Sequence, residues 1–198
     1  MSPTAWMLPT MSENCAMPER LPSLYLDSCI IIDILQKDKA QLPYLDLIMT
    51  EAEEGKLVLV TSSIALPESC GPRGMQKEQH AAALDLLTSD LFVLRPATIA
   101  VAERAAEIRR DHPVYPMDAL HLATVLIDDV PILLTRDGVA KKRTSLLLLT
   151  GKLKGRTSVL SILTPKQYHA MRLAEESPLL GKQTSPSSPQ AAETPGSS

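Results

Sequence analysis

The first regular pattern in the chain is LYLDSCIIIDIL, at residues 24–35. A short apolar run ends at Asp27, and a longer segment with helical spacing follows it. The short run predicts a buried strand over residues 24–26, and the longer one predicts a helix over residues 28–36. Asp27 therefore stands between a strand and a helix.

The same order of short apolar run and helical segment repeats along the chain. Further strands are predicted at residues 57–61, 92–94, 132–135 and 159–163, and further helices at 42–54, 78–88, 98–111, 117–126 and 165–174. This alternation is typical of a parallel sheet with crossover helices. Strands of almost continuous Leu, Ile and Val fit a sheet that is covered on both faces. We therefore expect an α/β fold.

Length and proline content define one domain with two tails. The chain has 198 residues, 44% of them hydrophobic, which is enough for one core. Of its 16 prolines, four lie in residues 1–22 and four in residues 178–198, among many Ser, Thr and Gln. Such a composition buries too little apolar surface to offset its ordering entropy. We expect a flexible N-terminal tail (1–22), a folded domain (23–176) and a disordered C-terminal tail (177–198).

Composition also indicates where the protein works. No apolar run approaches the roughly 18 residues of a membrane span, and the N-terminus lacks the pattern of an export signal. Three cysteines without a Cys-x-x-Cys pair argue against a disulfide framework and a structural zinc site. A reducing cytoplasm fits best, with no membrane partner.

Four acids fall at one predicted edge of the sheet. Asp27 follows the first strand, Glu68 lies one or two turns beyond the second, and Asp137 follows Thr135 by two residues. Asp118 comes from the start of a helix, since Pro116 suits a first turn. The carboxyl ends of parallel strands share one edge, so these four carboxylates are predicted to meet there.

A cluster of four carboxylates among apolar flanks needs shared protons or a hard cation. Oxygen ligands without a His or Cys pair indicate Mg²⁺ or Mn²⁺. The chemistry that follows is hydrolysis of a phosphoester by a metal-activated water. Each acid also has a simpler interpretation, as a helix cap, a first-turn acid or a turn residue. Those interpretations become less convincing together, because all four acids recur at one edge.

Four motifs resemble those of PIN-domain nucleases of the VapC toxin branch. They are Leu26-Asp27-Ser28-Cys29 with the helix after it, Ser62-Ser63 through Glu68, residues 116–124 with the sequence PMDALHLAT, and Leu134-Thr135-Arg136-Asp137. The resemblance covers about residues 23–168. Cys29 stands where the family commonly has Asn, and Ser28 where it has Thr.

The resemblance implies a three-layer α/β/α domain with a central parallel sheet. It also implies a Mg²⁺-dependent endoribonuclease that is the toxin of a type II toxin–antitoxin pair, with RNA as substrate and an antitoxin protein as partner. A homodimer is a further expectation. Asp27, Glu68, Asp118 and Asp137 would be both catalytic and metal-binding. Two alternatives stay open: a degenerate domain that acts as a binding or scaffold module, and a solitary RNA-processing nuclease.

Several other residues have weaker claims. Ser62 and Thr135 could hydrogen-bond the carboxylates or cap a helix. His121 lies one turn from Asp118 on the same helical face, although a lone His beside an apolar stripe is more often a packing residue. Asp33 is more typical of a helix surface than of a ligand.

Basic residues cluster in residues 138–156, where six occur without an acid. Such a run is most often a solvated surface. Beside an acidic metal site it could instead bind RNA phosphates, and Lys141, Lys142 and Arg143 are the candidates.

Overall fold

The computed structural model describes residues 21–71, 76–136 and 145–176. Within these ranges the chain forms five strands, seven α-helices and one short 3-10 helix. The strands are β1 (Ser23–Leu26), β2 (Val58–Ser62), β3 (Phe92–Arg95), β4 (Ile132–Leu134) and β5 (Ser161–Leu163). The helices are α1 (Ser28–Gln36), α2 (Leu42–Glu53), α3 (Ala65–Cys70), α4 (Lys77–Leu87), α5 (Ile99–Asp111), α6 (Pro116–Asp128) and α7 (Pro165–Glu176), with the 3-10 helix at Leu146–Leu149. None of the helices in the described ranges is long and apolar enough to cross a membrane.

All five strands are parallel and form one sheet in the order β3-β2-β1-β4-β5. Leu24 of β1 pairs with Leu59 on one side and with Ile132 on the other. β2 and β3 follow β1 on one side of the sheet, and β4 and β5 lie on the other side of β1. The strand order therefore reverses between β1 and β4. In open parallel sheets this reversal leaves a crevice outside the carboxyl ends of the two strands.

Two hydrophobic clusters cover the two faces of the sheet. Tyr25, Val60 and Leu133 point to one face, where they pack with Val101 of α5 and Leu122 of α6. The alternate strand residues point to the other face, where residues from α1, α2, α3, α4 and α7 pack against them. The predicted three-layer α/β/α architecture with a parallel central sheet is thus confirmed.

The segment after β2 differs most from expectation within the described residues. None of the predicted helices covers it, although the first-turn interpretation of Glu68 implied a helix start nearby; α3 begins at Ala65 and carries Glu68 on its first turn. Pro67 lies inside α3 without breaking it, since the first-turn N–H groups of a helix have no partner within the helix. A helix of six residues is too short to show a periodic apolar pattern. For that reason the apolar periodicity of the sequence did not reveal α3.

Candidate functional site

Asp27 lies at the reversal of strand order. Its backbone N–H donates to the carbonyl of Leu134, so the carboxyl ends of β1 and β4 are joined at this point. One carboxylate oxygen, Oδ1, accepts from the backbone N–H of Ser28 at 2.8 Å and caps α1. The cap interpretation and the site interpretation of Asp27 are therefore compatible, because the cap uses only one of its two oxygens.

The other oxygen of Asp27 is held by two side chains. The Thr135 hydroxyl donates to Oδ2 at 2.7 Å, and the Cys29 thiol lies 3.2 Å from the same atom. Burial, and then the charge of Asp27, raise the pKa of Cys29, so the thiol keeps its proton and acts as a donor. The backbone N–H of Arg136 donates in turn to the Cys29 sulfur at 3.2 Å. Cys29 and Thr135 thus fix the orientation of the Asp27 carboxylate.

Glu68 reaches the same place from α3. Its Oε2 accepts from the Ser28 hydroxyl in a short hydrogen bond, and it lies 2.8 Å from Nε2 of His121. Burial acts to raise the pKa of Glu68, but the hydrogen bonds from His121 and Ser28 outweigh it and lower the pKa below its usual value. Glu68 is therefore ionised at neutral pH, and its side chain is 28% exposed.

His121 stands behind both carboxylates and is almost fully buried. Its Nε2 also lies 3.1 Å from the Ser28 hydroxyl and 3.8 Å from Oδ1 of Asp27. Burial acts to lower the pKa of His121, but the Glu68 hydrogen bond and the charges of Asp27, Glu68 and Asp118 raise it overall. Sequence reasoning favoured a packing role for this residue. Its spacing from Asp118, one turn along one face of a helix, was the available signal for a role at the site.

The four predicted acids fall into three groups. Asp27 and Glu68 come together, since both contact Ser28 and both lie beside His121. Asp118 is half-buried in the first turn of α6, one turn before His121, and its charge acts on that ring. Asp137 lies outside the described residues, as do Lys141, Lys142 and Arg143.

The two predicted supporting hydroxyls occupy different positions. Thr135 contacts Asp27, as expected for a residue that orients a carboxylate. Ser62 accepts from the backbone N–H of Ile64 at 3.3 Å and hydrogen-bonds Tyr25, whose own hydroxyl contacts His121. In the described contacts Ser62 therefore reaches the acids only through Tyr25 and His121.

The donor chemistry suits a hard divalent cation. The groups that converge are carboxylate oxygens, the ligands that Mg²⁺ and Mn²⁺ prefer. Over the three described ranges, no group of three or more His, Cys, Asp or Glu side chains is arranged to hold a metal ion. The described part of the site accordingly offers suitable ligands in type, and a complete set requires further residues.

One of the comparisons with known proteins identifies the family of this chain. A search of curated proteins found no match. Two solved structures are similar in part: VapBC2 from Rickettsia felis bound to a DNA fragment from its promoter, and Mycobacterium tuberculosis VapC20, a Sarcin-Ricin loop cleaving toxin. VapBC2 is 18% identical to this chain with a TM-score of 0.46, and the match covers 57% of this chain and 86% of VapBC2. VapC20 is 15% identical with a TM-score of 0.47, and the match covers 56% of this chain and 86% of VapC20. The model of the PIN domain family matches residues 24–144, which include Asp27, Glu68, His121 and Asp118. The chain belongs to the PIN domain family.

Proposed function

We propose that this protein is a metal-dependent endoribonuclease and the toxin of a type II toxin–antitoxin pair. The observation that carries the proposal is the meeting of Asp27 and Glu68 around Ser28 and His121, at the reversal of strand order. Membership of the PIN domain family supports nuclease chemistry in general. Asp118 and Asp137 complete the proposed set of metal-binding and catalytic acids.

The chain's own residues prepare the site for a cation. Thr135 and Cys29 fix one oxygen of Asp27, while Ser28 and His121 fix one oxygen of Glu68. Rigid carboxylates lose little freedom when they bind a cation, which favours binding. Mg²⁺ or Mn²⁺ bound there would supply an activated water and would neutralise the charge that develops on the phosphodiester.

The binding-module alternative is less well supported. Asp27 and His121 are both buried, and burying polar groups that carry charge is costly unless they are paired. A scaffold gains nothing from carboxylates placed in this way at a sheet edge. The solitary RNA-processing nuclease shares the same site, so it differs from the toxin only in its partner.

The toxin assignment extends the resemblance of the four sequence motifs. It brings with it an RNA substrate, an antitoxin partner, a homodimer and a cytoplasmic location. Expression of the chain alone in bacteria should arrest growth, and co-expression of the small protein encoded beside it should restore growth. Arrest that no neighbouring product relieves would favour the solitary nuclease.

The nuclease proposal is tested with Asp118→Asn and Asp27→Asn. Both changes keep side-chain shape and remove a charge that a hard cation needs. We expect saturable Mn²⁺ binding and cleavage of an oligoribonucleotide by the wild type, and loss of both in the folded variants. Asp46→Asn, at an exposed acid of α2, is the matched control and should behave as the wild type. Wild-type cleavage by folded Asp118→Asn would exclude Asp118 from the site, and absence of Mn²⁺ binding by the wild type would favour the scaffold.

A further inference from the structure

A buried chain of hydrogen bonds runs from the sheet to Glu68. Tyr25 lies in the middle of β1 and is fully buried on the face that α6 covers. Its hydroxyl is 2.7 Å from Nδ1 of His121, and the two rings meet edge-on with their centres 5.8 Å apart. The opposite nitrogen of the same ring, Nε2, is 2.8 Å from Oε2 of Glu68. The imidazole therefore connects a residue of the sheet with a residue of α3.

Glu68 decides which nitrogen of His121 carries the proton. Its Oε2 accepts from the Ser28 hydroxyl, and a carboxylate oxygen can only accept hydrogen bonds. The ring nitrogen that faces it, Nε2, must therefore be a donor. In a neutral ring Nδ1 is then an acceptor, and the Tyr25 hydroxyl is the donor beside it.

The two donors that contact Glu68 bind the same carboxylate oxygen. Both the Ser28 hydroxyl and His121 Nε2 contact Oε2. These two residues thus leave the lone pairs of Oε1 for a cation. Two donors on one oxygen also fix the rotation of the carboxylate, which a single donor would not.

We propose that Tyr25 and His121 form a positioning relay, in which Tyr25 fixes the tautomer of His121 and His121 orients Glu68 so that Oε1 faces the metal. The relay rests on the proposed function, because it assumes that Glu68 binds a cation. His121 is almost fully buried and its Nε2 is engaged by Glu68, so it does not contact substrate. Its role is to position the carboxylate, as the partners of metal ligands do in other metal sites.

A purely structural role would look different. The neighbours of His121 on α6, Ala119, Leu122 and Ala123, are apolar core residues, and an apolar side chain at position 121 would fill the same space. A ring that only filled space would need no particular tautomer. Placing a polar ring there costs free energy unless both nitrogens find partners. Both nitrogens do find partners, and one of these is a proposed metal ligand.

Two substitutions separate positioning from packing. His121→Gln can place its amide nitrogen near the position of Nε2 and keep a donor toward Glu68, whereas His121→Asn is too short to do so. We expect Asn to raise the dissociation constant for Mn²⁺ by about 10- to 100-fold, the usual effect of losing a partner of a metal ligand. Gln should restore most of the affinity. Tyr25→Phe should weaken Mn²⁺ binding less than Asn does, because in that variant both His121 and Ser28 still contact Oε2.

Ser69→Ala provides the matched control. Ser69 is the residue after Glu68 and is fully buried, and among the described residues its hydroxyl has no hydrogen-bond partner. Removing it deletes a buried hydroxyl beside Glu68 without touching the relay. We expect its Mn²⁺ affinity to equal that of the wild type.

Nitrogen NMR of the metal-free protein tests the tautomer directly. At an alkaline pH, where the ring is neutral, the His121 signals should show a proton on Nε2 and none on Nδ1. His121→Gln identifies these signals among those of the four histidines. In Tyr25→Phe the preference for this tautomer should weaken, because Nδ1 has lost its donor.

The outcomes distinguish the relay from the proposed function. A proton on Nδ1 of the neutral ring, or equal Mn²⁺ affinity in His121→Asn and the wild type, would overturn the relay and leave the nuclease proposal standing. A wild type that binds no Mn²⁺ would remove the proposed function, and the positioning role with it. Weak binding by Asn, its recovery in Gln and a proton on Nε2 would together establish the relay.

Discussion

Oδ2 of Asp33 lies 2.5 Å from Nε of Arg136, a contact that ties the middle of α1 to the residue before Asp137. The Asp33 side chain is only 2% exposed. The sequence favoured a helix-surface acid at this position, and that interpretation was wrong. Arg136 also donates its backbone N–H to Cys29, so the segment after β4 is attached to α1 at two points.

Asp33 predicts a pH dependence of stability. Burial raises its pKa to about 6; Arg136 opposes this rise and Asp38 adds to it. An unfolded chain has the ordinary Asp pKa of about 3.9, so between pH 4 and 6 the folded protein binds more protons than the unfolded one. The stability contributed by Asp33 is therefore complete below about pH 4 and is lost as the pH rises through 6.

The measurement compares the wild type with Asp33→Asn by urea unfolding at several pH values. Relative to the variant, the wild-type free energy of unfolding should fall by about 1 kcal/mol per pH unit across this window. Parallel pH profiles for the two proteins would contradict the assigned shift.

Thr135 and Cys29 predict effects on metal affinity. Thr135→Val keeps the shape of the side chain and removes the donor to Asp27, so we expect Mn²⁺ affinity to fall by about tenfold. Cys29→Asn replaces a weak thiol donor by an amide and should bind Mn²⁺ at least as tightly as the wild type. Calorimetric titration with Mn²⁺ measures both. A Thr135→Val protein with unchanged affinity would show that this hydroxyl does not orient Asp27.

The fold followed from the sequence because each strand is a local apolar run bounded by polar residues. All five predicted strands occur, with ends shifted by two residues at most. The contact between Tyr25 and His121 could not be predicted, since it joins residues 96 apart in the chain. Within an apolar run Tyr25 looks like a core residue, and only the packing of α6 on the sheet brings its hydroxyl to His121. The burial of Asp33 could not be predicted either, because its partner Arg136 follows β4, far from α1 in the sequence.

The C-terminal boundary predicts a tolerated truncation. α7 ends at Glu176, and its anchors lie earlier: Tyr168 is buried, and Arg172 pairs with Glu51 of α2 at 2.9 Å. Deleting residues 177–198 should therefore shift the melting temperature by less than the few degrees that correspond to 1 kcal/mol. Deleting residues 165–198, which removes both anchors, should lower it by far more. A large loss in the shorter deletion would show that the tail is docked on the domain.

The described part of the basic run, with Lys152, Lys154 and Arg156, lies away from the acids. Lys154 pairs with Val159 in an isolated bridge, and the backbone N–H of Thr157 donates to Oδ1 of Asp129 at 3.0 Å. Asp129 comes just before β4, and this loop comes just before β5, so both lie at the amino ends of their strands. Asp27 and Thr135 lie at the carboxyl edge, separated from the loop by the roughly 10 Å length of β4.

This placement divides the basic segment into two testable halves. Changing Lys141, Lys142 and Arg143 to Ser, close in sequence to Asp137, should weaken RNA binding at low salt and lower its salt slope by slightly less than one unit for each lost phosphate contact. The matched change of Lys152, Lys154 and Arg156 to Ser removes the same charge from the edge of the sheet opposite to Asp27, so it should leave the slope unchanged. Filter binding of an oligoribonucleotide across a salt series measures both triple variants. Single-turnover cleavage at saturating RNA should stay near the wild-type rate in each, because phosphate contacts supply affinity rather than chemistry. If both triple variants lowered the salt slope equally, the basic groups would act only through the overall field of the protein. If only the second variant lowered the slope, the RNA would bind at the amino ends of the strands.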